Sequence, residues 1–293
     1  KIFIMNRLLL HCFVLLFLFV LTGCPSNDSS DSDFSGSIYY NDGSQAGGTL
    51  FRISAKDGSV EQLMNNAIQP DIMANGDILA IENHQGRIMI TDLYGANRRT
   101  LVTWSVDPNN KDRNFLNSPR ISFDQKYVAY DGYPYNQVTY VVDAQSGQLL
   151  LSVGNPDKLD QSYYSPSWAP DGSLIVQGAP SRNNGLYLID KDFNSITRID
   201  PNLTDVNSPS VSPDGNTIAF ISSYELWTMS FDGSNPRQIK TDLTVPSAPT
   251  WSPDSRYIAV VSGLRIYMVD VKNSTITRLE DSRAAGSQQI SWK

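Results

Sequence analysis

The stretch Ser165-Pro166-Ser167-Trp168-Ala169-Pro170-Asp171-Gly172 decides the architecture, because the chain repeats it. It returns as Ser208-Pro209-Ser210-Val211-Ser212-Pro213-Asp214-Gly215 and as Ala248-Pro249-Thr250-Trp251-Ser252-Pro253-Asp254-Ser255. Looser copies are Ser118-Pro119-Arg120-Ile121-Ser122-Phe123-Asp124 and Gln69-Pro70-Asp71-Ile72-Met73-Ala74-Asn75-Gly76. The leading prolines stand at 70, 119, 166, 209 and 249, so successive copies lie 40–49 residues apart. A period of that size marks solenoids, propellers and other arrays.

Each copy is followed by three short segments rich in β-branched and aromatic residues and bounded by turn residues, the pattern of strands. The second strands are expected at Ile78–Asn83, Tyr127–Gly132, Leu174–Ala179, Thr217–Ser222 and Tyr257–Ser262. The third are expected at Arg87–Asp92, Val138–Asp143, Gly185–Asp190, Glu225–Ser230 and Arg265–Asp270. The fourth are expected at Arg98–Val102, Gln148–Val153, Ile196–Asp200, Pro236–Lys240 and Ile276–Glu280. The Pro-Asp-Gly element is turn chemistry that joins strand one to strand two. Pro presets φ, Asp bonds its own backbone, and Gly relieves the last position.

The two ends hold complementary remainders. Ser37–Asp42, Thr49–Ser54 and Val60–Met64 supply strands two, three and four without a strand one. Gln289-Ile290-Ser291-Trp292 is a lone strand one with its Trp in place. Joined, they make a sixth unit, and the join removes the open edges that an all-β sheet otherwise exposes. The expected fold is all-β: a six-bladed β-propeller of four-stranded blades, ring-closed by the C-terminal strand, over residues 37–293.

Trp-Ser-Pro-Asp-Gly after a Pro, then an Ile-Ala-Phe-type strand and a Tyr/Trp-bearing strand ending in Asp, resembles the TolB-type propeller repeat. The likeness spans Ser37 to Trp292. It is sharpest in the units led by Pro166, Pro209 and Pro249. Unit two reads Ala74-Asn75-Gly76 and unit three Asp124-Gln125 where Pro-Asp-Gly belongs. The Gly-His and Trp-Asp marks of the other common propeller repeat are absent. The resemblance implies fold above all, because one fold hosts many functions.

Upstream of the repeats the chain reads as an export signal. Lys1 and Arg7 give a positive flank, and an apolar run from Leu8 to Leu21 follows, broken by His11. The run is shorter than the ~20 residues a membrane span needs and fits a secretory signal over 1–23. Leu21-Thr22-Gly23-Cys24 resembles the lipobox of bacterial lipoproteins, which implies a lipid on Cys24 and anchoring to a membrane. Pro25, where Asp would imply inner-membrane retention, implies the outer membrane. The polar stretch after it, 24–36, is expected to act as a tether, since such a composition buries too little to offset its ordering entropy.

Composition excludes several chemistries. Cys12 leaves with the signal and Cys24 takes lipid, so no thiol, disulfide or Cys-metal site is expected in the remainder. Net charge is −7, and more negative once Lys1 and Arg7 are removed, which argues against nucleic acid. His84 is the only histidine beyond the signal, so a multi-His metal site is excluded, and nothing places a Ser and an Asp beside it for a triad. The carboxylates occupy repeat positions: Asp171, Asp214 and Asp254 in turns; Asp92, Asp143, Asp190 and Asp270 at the ends of third strands. No carboxylate pair stands out for glycosidase chemistry. No catalytic residue, metal or other cofactor is expected.

Binding is expected on loops held by the rigid ring. Loops joining strand two to three, and strand four to the next strand one, emerge on one face, and the long ones cluster in units two to four. They carry Trp104, Lys111, Arg113 and Phe115, then Tyr133 and Tyr135, then Tyr163 and Tyr164, and Arg182. Tyr, Trp and Arg are enriched at interface hot spots. Two functions are compatible with such a patch: a scaffold binding an envelope or surface protein, and a propeller that binds or cleaves carbohydrate.

Overall fold

A computed structural model describes residues 34–42, 48–82, 86–103, 116–132, 138–154, 161–178, 184–200, 203, 205–283 and 289–293. The first three strands are β1 (Ser37–Asn41), β2 (Thr49–Ser54) and β3 (Val60–Asn65). Blade 2 is β4 (Ala67–Ile72), β5 (Ile78–Glu82), β6 (Arg87–Thr91) and β7 (Arg99–Thr103). Blade 3 is β8 (Leu116–Ile121), β9 (Tyr127–Gly132), β10 (Val138–Asp143) and β11 (Leu149–Val153). Blade 4 is β12 (Tyr163–Trp168), β13 (Leu174–Gly178), β14 (Gly185–Ile189) and β15 (Ile196–Arg198). Blade 5 is β16 (Val206–Val211), β17 (Thr217–Ser222), β18 (Glu225–Ser230) and β19 (Arg237–Gln238). Blade 6 is β20 (Ser247–Trp251), β21 (Tyr257–Ser262), β22 (Arg265–Asp270) and β23 (Ile276–Leu279). The last strand, β24 (Ser291–Trp292), pairs antiparallel with β1 and completes blade 1 in the order β24-β1-β2-β3.

Closure is therefore by hydrogen bonding between the two ends. Ile38 faces Trp292 and Tyr39 faces Ser291, and Ser37 and Lys293 exchange N–H···O bonds of 2.6 and 3.0 Å. The Trp292 indole donates to the Ser35 carbonyl at 2.8 Å, and Phe34 packs edge-on against Tyr257 of blade 6. The end of the segment read as a tether is thus already docked at Phe34–Gly36. Phe34 is the aromatic side chain in an otherwise polar run, and it is partly buried against the seam of blades 6 and 1.

The core is divided among the blade seams. Six apolar clusters are found among the described residues, one at each seam. Strand two feeds two of them at once: in β17, Ile218 and Phe220 face blade 4 while Ala219 and Ile221 face blade 6. Both faces of a blade are covered, so these strands read as continuous apolar runs rather than alternation.

The repeat motif makes sense residue by residue. Trp168 and Trp251 donate their indole N–H to the carbonyls of Arg120 and Ser210 in the preceding blade, at 3.0 and 2.8 Å. The Ser of Ser-Pro-Asp-Gly donates to the Asp and accepts the N–H that opens strand two, as Ser212 does with Asp214 (2.5 Å) and Thr217 (3.0 Å). The residue before each repeat proline (Gln69, Ser118, Ser165, Ser208 and Ala248) has φ near +50°. Strand one carries a register shift there in every one of blades 2 to 6.

These kinks turn a backbone N–H toward the preceding blade. Asn41 Oδ1 accepts from Gln69 N at 3.3 Å, Asp131 Oδ1 from Ser165 N at 3.2 Å, and Gln177 Oε1 from Ser208 N at 3.4 Å. All three acceptors occupy the same strand-two position in their blades. In unit three, where the turn Gly is replaced, Gln125 sits at φ 63° and its side chain accepts Ala74 N of the neighbouring turn at 2.9 Å.

Two fourth strands are shorter than expected. Pro236 has no N–H for the ladder, and regular strand in blade 5 is limited to Arg237–Gln238, with Ile239 N donating to the Leu226 carbonyl at 2.8 Å just beyond it. In blade 4 the Asp200 carboxylate takes Leu186 N at 2.7 Å and ends regular pairing at Arg198.

Candidate functional site

The face bearing the strand two–three and four–one connections is uneven. In blades 5 and 6 the strand two–three hairpins close through Ser223-Tyr224 and Gly263-Leu264, with both residues of each pair at positive φ, the geometry of a type I′ turn. Tyr224 and Leu264 stand at their tips, 71% and 58% exposed. Blades 2 to 4 have longer connections there. Trp104, Lys111, Arg113, Phe115, Tyr133, Tyr135 and Arg182, together with His84 and Cys24, lie outside the described residues.

Tyr163 and Tyr164 open β12 and have different surroundings. Tyr164 is half-buried and its hydroxyl accepts from Gln177 Nε2 at 2.8 Å, so it belongs to the network that ties blade 4 to blade 5. Tyr163 packs edge-on against Tyr187, centroids 5.4 Å apart. Its other side faces a groove of about 520 Å³ along the seam of blades 3 and 4. Leu151, Val153, Ile189, Phe193 and Ile196 give this groove apolar walls. It runs from Gly154 and Gln161, at the loop face, toward Asn194 and Ser195 in the β14–β15 turn.

The outer rim of the groove is β11, and its sequence sets it apart. β3, β7, β15, β19 and β23 each carry an Arg or Glu, whereas β11 reads Leu-Leu-Leu-Ser-Val. Leu149 and Leu150 are 54% and 46% exposed on this outermost strand. Edge strands are ordinarily blunted by charge or proline, and this one is not. The repeat motif gave no hint of the groove; the charge-free composition of one fourth strand among six was the available signal.

Four carboxylates that follow or end third strands are engaged locally. Asp92, Asp143, Asp190 and Asp270 each accept backbone N–H groups of the turn that follows; that bonding holds Asp92 and Asp143 below the usual carboxylate range, and for Asp190 the Ser195 hydroxyl does so first, with the backbone N–H groups adding to it. Asp131 behaves in the opposite way. Burial pushes its carboxyl up to about 6, against the opposing bonds from Ser165, Ser118 and Asn117. No group of three or more His, Cys, Asp or Glu side chains is placed to hold a metal among the described residues.

No family model matches the chain. Its fold is similar to that of TolB from Acinetobacter baumannii, with TM-score 0.71 and 17% identity over 89% of this chain and 67% of the other. The protein assigned as TolB from Agrobacterium tumefaciens gives 0.65 and 19%, over 84% and 88%. An oligogalacturonate lyase solved with manganese gives 0.55 and 11%, over 79% and 70%. Identities at this level speak for architecture alone. By its closed ring of six four-stranded antiparallel blades and these likenesses, the chain is a six-bladed β-propeller of the TolB-like fold.

Proposed function

We propose that this protein is a lipid-anchored propeller of the bacterial cell envelope that acts as a non-catalytic scaffold for another envelope protein. In this reading Cys24 carries the lipid, the outer membrane is the site of anchoring, and the partner meets the loop face over blades 2 to 4. The observation that carries it is the apolar groove between blades 3 and 4, rimmed by an uncharged edge strand with two exposed leucines. An outer strand with unpaired backbone groups beside an apolar groove suits an extended peptide segment, whose side chains alternate into the groove. The two TolB likenesses support the same class of role.

The test is a crosslinked pull-down from solubilised outer membranes with the lipidated protein. Two variants run beside it: a Trp104→Ala, Tyr133→Ala, Tyr135→Ala triple and the single Leu150→Lys. A protein captured by the wild type and lost from the variants supports the scaffold. Equal capture by all three baits removes this face from the proposal. A second reading, carbohydrate binding, is favoured by the lyase likeness and by the Tyr163 and Phe193 rings on the groove. A glycan array decides it when no protein is captured.

A further inference from the structure

The residue after the repeat proline lines the central channel of the ring. In four blades it is a small hydroxyl residue: Ser167, Ser210, Thr250 and Ser291. That is what the architecture needs, as Ser167 Oγ accepts Val211 N of the next blade at 2.9 Å. Blade 2 replaces the hydroxyl with Asp71, which serves the same purpose: its oxygens take Ile121 N at 3.0 Å and the Ser291 hydroxyl at 2.9 Å. Blade 3 has Arg120, which accepts nothing and gives up the bond.

Arg120 is expensive to keep there. It is half-buried, and desolvation lowers its pKa while the Asp71 charge opposes the shift. A guanidinium stays protonated regardless, so the direction reports lost hydration. Its hydrogen bonding does little to restore it. Among the described residues, one of its five N–H donors reaches the Ile290 carbonyl, at a long 3.5 Å. Asp71, the charge that acts on it, already accepts from Ile121 N and the Ser291 hydroxyl. The side chain lines the channel on both sides.

Cavities lie on both sides of this side chain. One, of about 70 Å³, is bounded by Ser118, Ser165, Ser208 and Gln289. The other, about 220 Å³, opens at the opposite face, where Lys293 adds a second cation and Trp168, Trp251 and Trp292 form part of the wall. Two cations, the Asp71 carboxylate and the hydroxyls of Ser210 and Thr250 therefore face one water-accessible volume, with the carboxylate already engaged by Ile121 N and the Ser291 hydroxyl. A planar guanidinium with free paired donors matches a carboxylate better than a spherical or tetrahedral anion.

The geometry points to the channel as a binding site for a small hydroxycarboxylate, its carboxylate on Arg120 and its hydroxyl among the ring serines and threonine. This is independent of the protein-binding role proposed for the blade 3–4 groove. Entry is from the Lys293 side, where the opening is wider.

The probe is lactate, added to the full chain at low salt, with lactamide (same shape, no charge) and sulfate as comparisons. Binding is read from tryptophan fluorescence, since three indoles border the cavity, and from the thermal midpoint. Lactate is expected to give a saturable change and a raised midpoint that lactamide and sulfate do not reproduce. Arg120→Lys keeps charge but loses the fork and is expected to weaken binding at least tenfold; Arg120→Met abolishes it. Should either variant fail to fold, Lys293→Ala, on an exposed side chain, is expected to weaken binding severalfold with an unchanged midpoint. No saturable response in the wild type, an equal response to lactamide or sulfate, or unweakened binding in folded Arg120→Met overturns the assignment.

Discussion

The carboxylate of Asp131 accepts the backbone N–H of Ser165 across the seam of blades 3 and 4, at 3.2 Å. At the equivalent position blades 1 and 4 use the neutral amides of Asn41 and Gln177. Blade 3 alone among these puts a titratable group in a site that needs only an acceptor. The folded chain holds that proton up to about pH 6, whereas an ordinary aspartate has released it by about 4. Between those values the folded state binds the extra proton, so stability falls as pH rises through the window. Asp131→Asn is expected to flatten this dependence and to raise stability at about pH 7.5 by ~2–3 kcal/mol. Calorimetric midpoints at about pH 5 and pH 7.5 check it; a variant midpoint that still drops like the wild type's counts against it.

Two glycines mark where neighbouring blades approach too closely for a side chain. A Cβ on Gly233 would lie 1.9 Å from the Ile199 carbonyl oxygen, and one on Gly147 would lie 2.2 Å from that of Leu101. Gly76 has a similar φ, +89°, with open space around it. Alanine at Gly76 is expected to cost ~1 kcal/mol for the left-handed backbone alone. At Gly233 the backbone strain and the overlap combine, and the loss should reach at least ~3 kcal/mol. Urea unfolding of both variants provides the comparison, and equal losses would contradict it.

Trp251 offers a way to separate packing from stapling. Its indole is buried and bonded to Ser210 O. Trp251→Phe keeps an aromatic ring but leaves that buried carbonyl without its partner, an expected loss of ~1–3 kcal/mol. Trp251→Ala adds the cavity, for ~3–5 kcal/mol in all. A Trp251→Phe midpoint equal to that of the wild type would show that the bond is immaterial.

On β11, Leu150→Lys is expected to leave stability within ~0.5 kcal/mol, since the side chain is 46% exposed. The same change places a charge on the bare edge. Thermal midpoint and self-association, followed by sedimentation, should respond differently: the first unchanged, the second no greater than in the wild type.

Much of this was legible in the sequence because a repeat states its own architecture. Ser37, Tyr127, Val138 and Tyr257 begin strands where expected, and the Gln289–Trp292 remnant closes the ring through Ser291 and Trp292. What escaped was local. A residue before proline is normally driven to extended backbone, so positive φ at Ser165 or Ser208 has no signature in composition. Aligning the copies in columns would have isolated Arg120 among Ser and Thr, and Asp131 beside Asn and Gln. Read along the chain, both pass as ordinary strand residues. Most of the proposed contact residues, Trp104 and Tyr133 among them, sit in connections between strands, where periodicity carries no information.

The bond from Trp292 to Ser35 joins residues 257 positions apart, which gives the ring an order in time as well as in space. Blades 2 to 6 are each contiguous in sequence and can form as the chain emerges. The first three strands must wait, with one bare side, for β24 to arrive. On a chain delivered N-terminus first, the arc stays open until Ser291 and Trp292 reach β1. A protein interrupted anywhere before Ser291 would be left as an unlatched arc, available to quality control and to proteases, with no closed ring to conceal the break.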